Sequence, residues 1–301
     1  MKQKIFLFGA NGMLGQKVSE LLLHENLPFA ASSVELKSIL SLNDYVPVDI
    51  TDFNEVERIL LSKKPTTIIN CSAYTAVDKA EIESGLCNLI NNLAVKKIAE
   101  ISKKIDAHFI HISTDYVFDG NSGPYNENDN TNPLGVYGLT KLKGEEAIIH
   151  SGCNFTIFRT NVLYGSTKYG RSDFVKWLVD SLKNKKEVKI VKDQINNPTF
   201  INDLANLILK ATLNNVYGLF NSGGPEFLSR FDFSKRIAEY FNLEQNLISP
   251  ITTEELNQAA KRPLKSGLKL DLVKKMFDYN PTIPEEAFEI INQQLKLDEK
   301  N

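Results

Sequence analysis

The sequence predicts an α/β fold, a doubly wound parallel sheet with helices on both faces and a smaller α/β lobe at its C-terminal side. Two observations carry this. Over the first half, short apolar runs alternate with longer amphipathic segments, the spacing of right-handed βαβ crossovers. The first apolar run also ends in a glycine-rich turn, Gly9-Ala10-Asn11-Gly12-Met13-Leu14-Gly15, that opens a helix.

The elements follow in order. Lys4 to Phe8 reads as a strand, Met13 to His24 as a helix and Phe29 to Ser32 as a second strand. Val46 to Asp49 is a short third strand, followed by a helix around Phe53 to Ser62. Thr66 to Asn70 is a fourth strand, Leu86 to Ile105 one long helix and His108 to Ser113 a fifth strand. The texture changes after Ser122, where Gly123 to Pro133 is rich in Asn, Asp, Pro and Gly and reads as a loop. A helix from Val136 to His150 and a sixth strand from Asn154 to Arg159 come next. Beyond Gly165 helical stretches alternate with turns at Gly218 and at Ser222-Gly223-Gly224-Pro225.

Composition bounds the function. The 301 residues are 42% hydrophobic and 24% charged, with a formal net charge of -2. That balance gives no electrostatic case for nucleic acid or an anionic membrane. Apolar runs such as Ile5 to Phe8 are far below the roughly 18 residues of a membrane span, and the N-terminal one does not read as a signal peptide. Three cysteines with no CxxC argue against a disulfide framework or a cysteine zinc site, and fit a reducing cytoplasm.

The turn after the first strand is GxxGxxG, a variant of the dinucleotide fingerprint. It offers a tight exit from the strand, close backbone approach to a pyrophosphate and close packing of helix on strand. The helix N-terminus adds free N–H groups and a positive dipole end. Gly9, Asn11, Gly12, Met13, Leu14 and Gly15 are the candidate contacts. At the adenosine end, Ser32 closes the second strand where NAD sites usually place an acid; Glu35 has the right offset but lies past the strand. The missing acid removes repulsion against a 2′-phosphate, and Lys37 could add a positive charge. NADPH is therefore slightly favoured over NADH, although a solvated Lys37 is the more frequent case. Asp49 and Ile50 are placed to meet the adenine edge.

Tyr137 and Lys141 stand four apart in a predicted helix, on one face. A nearby ammonium favours the phenolate and lowers the tyrosine pKa toward a useful range. Such a pair is often only a surface contact. Gly138 and Gly144, which weaken the same helix, point instead to a functional site. Ser113 and Thr114 end the fifth strand, where ligands of open α/β sheets sit. Glu145 and Glu146 are expected on the helix exterior, His108 and His111 as strand packing, and Phe227, Phe231 and Phe233 as packing of the smaller lobe.

Together these residues resemble the extended short-chain dehydrogenase/reductase superfamily, and more closely the dTDP-4-dehydrorhamnose reductase family. The resemblance runs from the glycine turn through Asn70-Cys71-Ser72-Ala73-Tyr74-Thr75-Ala76-Val77-Asp78-Lys79-Ala80-Glu81 and Ile112-Ser113-Thr114-Asp115-Tyr116-Val117-Phe118-Asp119-Gly120. It continues through Tyr137-Gly138, Lys141, Leu163-Tyr164-Gly165, Asp193-Gln194 and Arg262-Pro263. The resemblance implies a Rossmann-type domain over residues 1–165, with a returning segment near 195–222, and a substrate-binding lobe mainly in residues 166–301. It implies hydride transfer from NADPH or NADH to C4 of a nucleotide-linked 4-keto-6-deoxy sugar. Tyr137 would give the proton, Lys141 would hold the nicotinamide ribose and Thr114 would bond the reacting oxygen. Cys71, Ser72, Ala73 and Tyr74 would line the cofactor path. Thr75, Val77, Asp115, Tyr116 and Val162 would face the sugar nucleotide.

Departures qualify the resemblance. Val162 stands where the family usually has a tryptophan beside the sugar. Lys17 stands where some members have an acid that helps a metal bridge two subunits, so no metal is expected, while a homodimer stays open. A dehydratase would show Glu after the Thr-Asp pair, and here Tyr116 follows Asp115. A different class is a non-catalytic regulator similar to the methionine adenosyltransferase β subunit, or a reductase or epimerase of another nucleotide sugar.

Overall fold

The computed structural model describes residues 3–167 and 173–298. Strand β1 (Ile5–Phe8) is buried on both faces, as a central parallel strand must be. Its side chains alternate between two cores. Ile5 and Leu7 join one, Phe6 and Phe8 the other, the period of two of a pleated strand. After α1 (Met13–His24) come β2 (Phe29–Ser33), β3 (Tyr45–Pro47), α2 (Phe53–Lys63), β4 (Thr67–Asn70) and the single turn α3 (Val77–Ala80).

Where one long helix is predicted, the chain makes α4 (Ser84–Asn88), a π-helical turn over Leu89–Leu93 and α5 (Ala94–Lys104). The wide turn carries the buried Asn91, whose amide clasps both backbone groups of Tyr74, accepting from its N–H at 2.9 Å and donating to its carbonyl at 3.0 Å. Such turns often mark functional sites. The first half closes with β5 (His108–Thr114), α6 (Val136–Ser151) and β6 (Phe155–Thr160).

The second half has β7 (Leu163–Tyr164), α7 (Phe174–Lys183), β8 (Val188–Val191), β9 (Ile195–Asn196), β10 (Thr199–Phe200) and α8 (Ile201–Asn214). Then come β11 (Gly218–Asn221), β12 (Leu228–Ser229), α9 (Arg230–Tyr240), β13 (Ile248–Ile251), α10 (Thr253–Leu256), α11 (Asp271–Phe277) and α12 (Pro284–Asp298).

The main sheet is parallel with order β11-β6-β5-β4-β1-β2-β3. Gly218, read as a turn, is the first residue of its edge strand. The order reverses between β1 and β4, and a ligand crevice belongs outside the strand ends there. The core on one face extends from Leu7 and Leu14 through Leu204 to Phe233 and Phe288, so the sheet and the second-half helices share it. The other face is covered by α2 and α5 through Val56, Leu60, Val95 and Ile98. Short strand pairs β7–β10, β8–β13 and β9–β12 frame the second half. Among the described residues no helix is long and apolar enough to cross a membrane.

Candidate functional site

The glycine turn is a cradle with no room for side chains. Gly9 has φ +76°, and a Cβ there would lie 2.7 Å from the Ser72 nitrogen. A Cβ on Gly15 would lie 2.0 Å from the Gly9 carbonyl oxygen. Helix α1 starts at Gly12 with no side-chain cap and no acid in its first turn. Its free N–H groups and positive end are left for a phosphate. Met13 and Leu14 open the helix, Leu14 inside the core.

The Asn11 side chain, expected at the cofactor, is committed to the loop after β2. It donates to Glu35 and to the Lys37 carbonyl, each at 3.0 Å, and accepts from the Ile39 N–H at 2.9 Å. That places Lys37 beside the glycine turn. Ser32 is fully buried and its hydroxyl meets no partner, so it serves through its carbonyl, which accepts the Ala10 N–H at 2.9 Å. Asp49 is exposed after β3, its carboxylate taking the Thr51 N–H and hydroxyl, and Ile50 is buried.

The segment after β4 runs along the same edge. Cys71, Ser72, Ala73 and Tyr74 are half-buried, and Thr75 is exposed before Val77 opens α3. The Tyr74 hydroxyl donates to Glu83 at 2.6 Å, and that carboxylate pushes the phenol up to about 12. Asp78 holds the Arg262 guanidinium with both oxygens, at 2.7 and 2.9 Å. Glu81 accepts the free Val136 N–H at 2.9 Å, capping α6 from outside.

Helix α6 brings Tyr137 to the end of β5. The packing reason for its glycines is visible here and was absent from the sequence. A Cβ on Gly138 would lie 2.2 Å from the Tyr116 carbonyl oxygen, and one on Gly144 would lie 2.4 Å from that of Asn91. The glycines are close-approach positions, and the approach seats Tyr137 edge-on to Tyr116, with ring centroids 5.5 Å apart.

Thr114 donates to Asp115 at 3.0 Å and accepts the Tyr116 N–H at 3.2 Å. Asp115, expected to face the sugar, is 1% exposed. Its second oxygen accepts from Ser266 at 2.5 Å. Both oxygens are thus spent on orienting Thr114 and tying in the second half. Burial pushes Asp115 up to about 6.

The expected lowering of the Tyr137 pKa is reversed. Burial raises it, with the Thr114 hydroxyl opposing and Asp115 adding to the rise. Lys141 Nζ is anchored on β5, 2.5 Å from the Ile112 carbonyl and 3.2 Å from His111 Nε2. Burial pushes Lys141 down to about 8.

Other expectations are also corrected. Glu145 is buried and pairs with Arg159 through 2.6 and 3.0 Å contacts, whereas Glu146 is exposed. Phe227 is 48% exposed, lying over Gly267 rather than in the core with Phe233. Val162, half-buried before β7, has φ +24°, a strained conformation for a β-branched residue.

Arg230 was missed. It is the first residue of α9, with its guanidinium 5.0 Å over the Phe174 ring. Burial lowers its pKa, while Tyr116 and Asp115 hold it charged and Arg262 works against that. Two arginines from the second half thus face the Tyr116 side of the cleft. Arg262 belonged to a recognised motif, whereas Arg230 follows an ordinary serine cap with no local signal.

Residues 3–296 match the family model described as the RmlD substrate binding domain. The chain is 32% identical over 291 residues to a dTDP-4-dehydrorhamnose reductase of Aggregatibacter actinomycetemcomitans, covering 93% of this chain and 95% of that one. Its structure is similar to that of dTDP-4-dehydrorhamnose reductase from Bacillus anthracis in complex with NADP, with TM-score 0.88, 32% identity and coverage of 98% and 100%. It is also 30% identical over 235 residues to methionine adenosyltransferase 2 subunit beta of Xenopus tropicalis, covering 76% of this chain and 70% of that one. With the match spanning nearly all of the chain, this protein belongs to the RmlD substrate binding domain family, that of the dTDP-4-dehydrorhamnose reductases and their relatives.

Proposed function

We propose that this protein reduces the C4 keto group of a nucleotide-linked 4-keto-6-deoxy sugar with NADPH or NADH, dTDP-4-dehydrorhamnose being the favoured substrate and dTDP-L-rhamnose the product. One observation carries the reading. A half-buried tyrosine, a strand-end threonine and a buried lysine lie at the end of β5, next to the strand that leads into the glycine turn's neighbour Ser72. The cofactor fits the glycine cradle: Gly9, Gly12 and Gly15 would admit the pyrophosphate, and Lys37, whose carbonyl accepts from Asn11, would be the nearby cation for a 2′-phosphate. When bound, the dihydronicotinamide supplies the hydride.

The protein's own residues orient and deliver a proton. Burial keeps the Tyr137 phenol protonated at neutral pH, the state a proton donor to a carbonyl oxygen needs. Asp115 holds the Thr114 hydroxyl in place to share that oxygen. Lys141 would hold the ribose hydroxyls. Arg230 and Arg262 supply positive charge for a sugar nucleotide's diphosphate. Three unpaired thiols support a cytoplasmic setting.

The test mixes the protein with NADPH, and separately NADH, plus dTDP-4-keto-6-deoxy-L-mannose, following absorbance of the reduced nicotinamide. Oxidation that Tyr137→Phe abolishes supports the reading, and the faster cofactor decides the 2′-phosphate question. The similarity to a methionine adenosyltransferase subunit favours a second reading, a non-catalytic regulator. Tight cofactor binding without turnover, together with a co-purifying enzyme, would select it.

A further inference from the structure

Lys141 has a neighbour that the proposed reaction does not use. His111, on β5, is fully buried. Its Nε2 lies 3.2 Å from Lys141 Nζ and its Nδ1 lies 3.4 Å from Asn70 Nδ2. The Asn70 amide is fixed by its other end, because Oδ1 accepts the Ser72 N–H at 3.0 Å. Asn70 therefore turns an N–H donor toward Nδ1.

A neutral imidazole has one N–H and one acceptor nitrogen. With Nδ1 accepting, the hydrogen-bond network assigns the proton to Nε2, where it points at Lys141. An ammonium has three donors and no acceptor, so two donors would oppose each other across 3.2 Å. A neutral amine resolves this. Its lone pair takes the Nε2–H, and one of its two hydrogens serves the Ile112 carbonyl at 2.5 Å. An imidazolium fits worse, since its Nδ1–H would face the Asn70 N–H donor.

We propose that His111, held by Asn70, is a positioning residue for Lys141. Its Nε2–H donates to Nζ in the cofactor-free protein and biases that side chain toward the neutral amine, so that the ammonium forms only below a lowered midpoint. The other groups facing Lys141 are Glu145 on its own helix and Cys87 on α4, and both favour the ammonium. Glu145 is already engaged by Arg159. Burial opposes them and pushes Lys141 down to about 8, while burial holds His111 unprotonated.

The consequence for turnover rests on the reductase reading. Proton loss from Tyr137 leaves a phenolate, which an ammonium at position 141 would stabilise. Turnover then needs the ammonium, so activity falls as pH rises through the Lys141 midpoint.

The test reads the protein without substrate, so it stands or fails separately from the reductase reading. In cofactor-free protein labelled with ¹⁵N-histidine, held at a pH above the Lys141 midpoint, the His111 shifts should report a proton on Nε2 and a bare Nδ1. A proton on Nδ1 would overturn the proposal. Labelled-lysine NMR then follows Lys141 in His111→Leu. Removing the donor should raise the Lys141 midpoint by about one pH unit, the size of one hydrogen bond. A fall would mean that His111 accepts from an ammonium, and would also overturn it. If His111→Leu does not fold, the wild-type tautomer decides alone.

Discussion

The Gly138→Ala substitution sets helix propensity against packing. Alanine in a helix interior gains about 1 kcal/mol over glycine. The new Cβ would lie 2.2 Å from the Tyr116 carbonyl oxygen and 3.1 Å from the Pro133 Cβ. Ordinary contact lies at about 3.5 Å or more, so α6 would have to retreat by roughly 1 Å. The obstacle is backbone and cannot swing away, which places the overpacking cost near the upper end of about 1–3 kcal/mol. The net loss is about 1–2 kcal/mol, or roughly 2–8 °C in Tm for a protein somewhat under this size. The retreat also carries Tyr137 away from Thr114, and a displacement of about 1 Å can cost about 10²-fold in rate. Gly85→Ala on α4 is the control, because nothing lies within 4 Å of its Cβ position. It should melt at or slightly above wild type and turn over normally. Thermal melts by circular dichroism and keto-sugar reduction rates read both effects. A Gly138→Ala protein that melts at or above wild type with unchanged kcat would refute the close-approach argument.

Glu145→Gln should cost about 3–5 kcal/mol in urea unfolding, because it strands the buried Arg159 guanidinium without its counter-charge; a loss under about 1 kcal/mol would show the pair to be dispensable. Asp115 has a folded pKa of about 6 against an ordinary 3.8. The unfolded chain releases that proton first, so this group makes stability fall as pH rises through that window, by up to about 3 kcal/mol. Asp173 and Asp203 are raised as well. The check is therefore the difference between wild type and Asp115→Asn, which should gain in relative stability between those pH values; a parallel pair of curves contradicts it. Arg230→Met should raise KM for the sugar nucleotide about 10- to 100-fold, the worth of a charge-assisted hydrogen bond, while cofactor affinity measured by fluorescence stays unchanged.

Central strands such as β1 were legible because parallel strands buried on both faces must be continuous apolar runs, as Ile5 to Phe8 shows. The edge strand β11 was hidden because it opens on Gly218, a residue that reads as punctuation. The π-helical turn left no mark in the composition of Leu89–Leu93, since its cause is the grip of Asn91 on Tyr74, seventeen residues away. At the site, the glycine turn, Thr114, Tyr137 and Lys141 were named by spacing and resemblance. What spacing could not deliver was direction. Lys141 reaches back to Ile112 and His111, Asp115 turns inward to Ser266, and Glu145 finds Arg159 on a neighbouring strand. Each of these depends on a partner brought close only by the tertiary fold.

Hydride delivery to C4 of a keto sugar can be followed with NADPH carrying deuterium at the transferable position of its nicotinamide ring, incubated with dTDP-4-keto-6-deoxy-L-mannose. The expected product is a 6-deoxy sugar with one deuterium, bound at C4, and Tyr137→Phe should give no labelled product. An unlabelled or unreduced sugar after prolonged incubation with correctly folded, cofactor-binding protein would contradict the proposed hydride delivery.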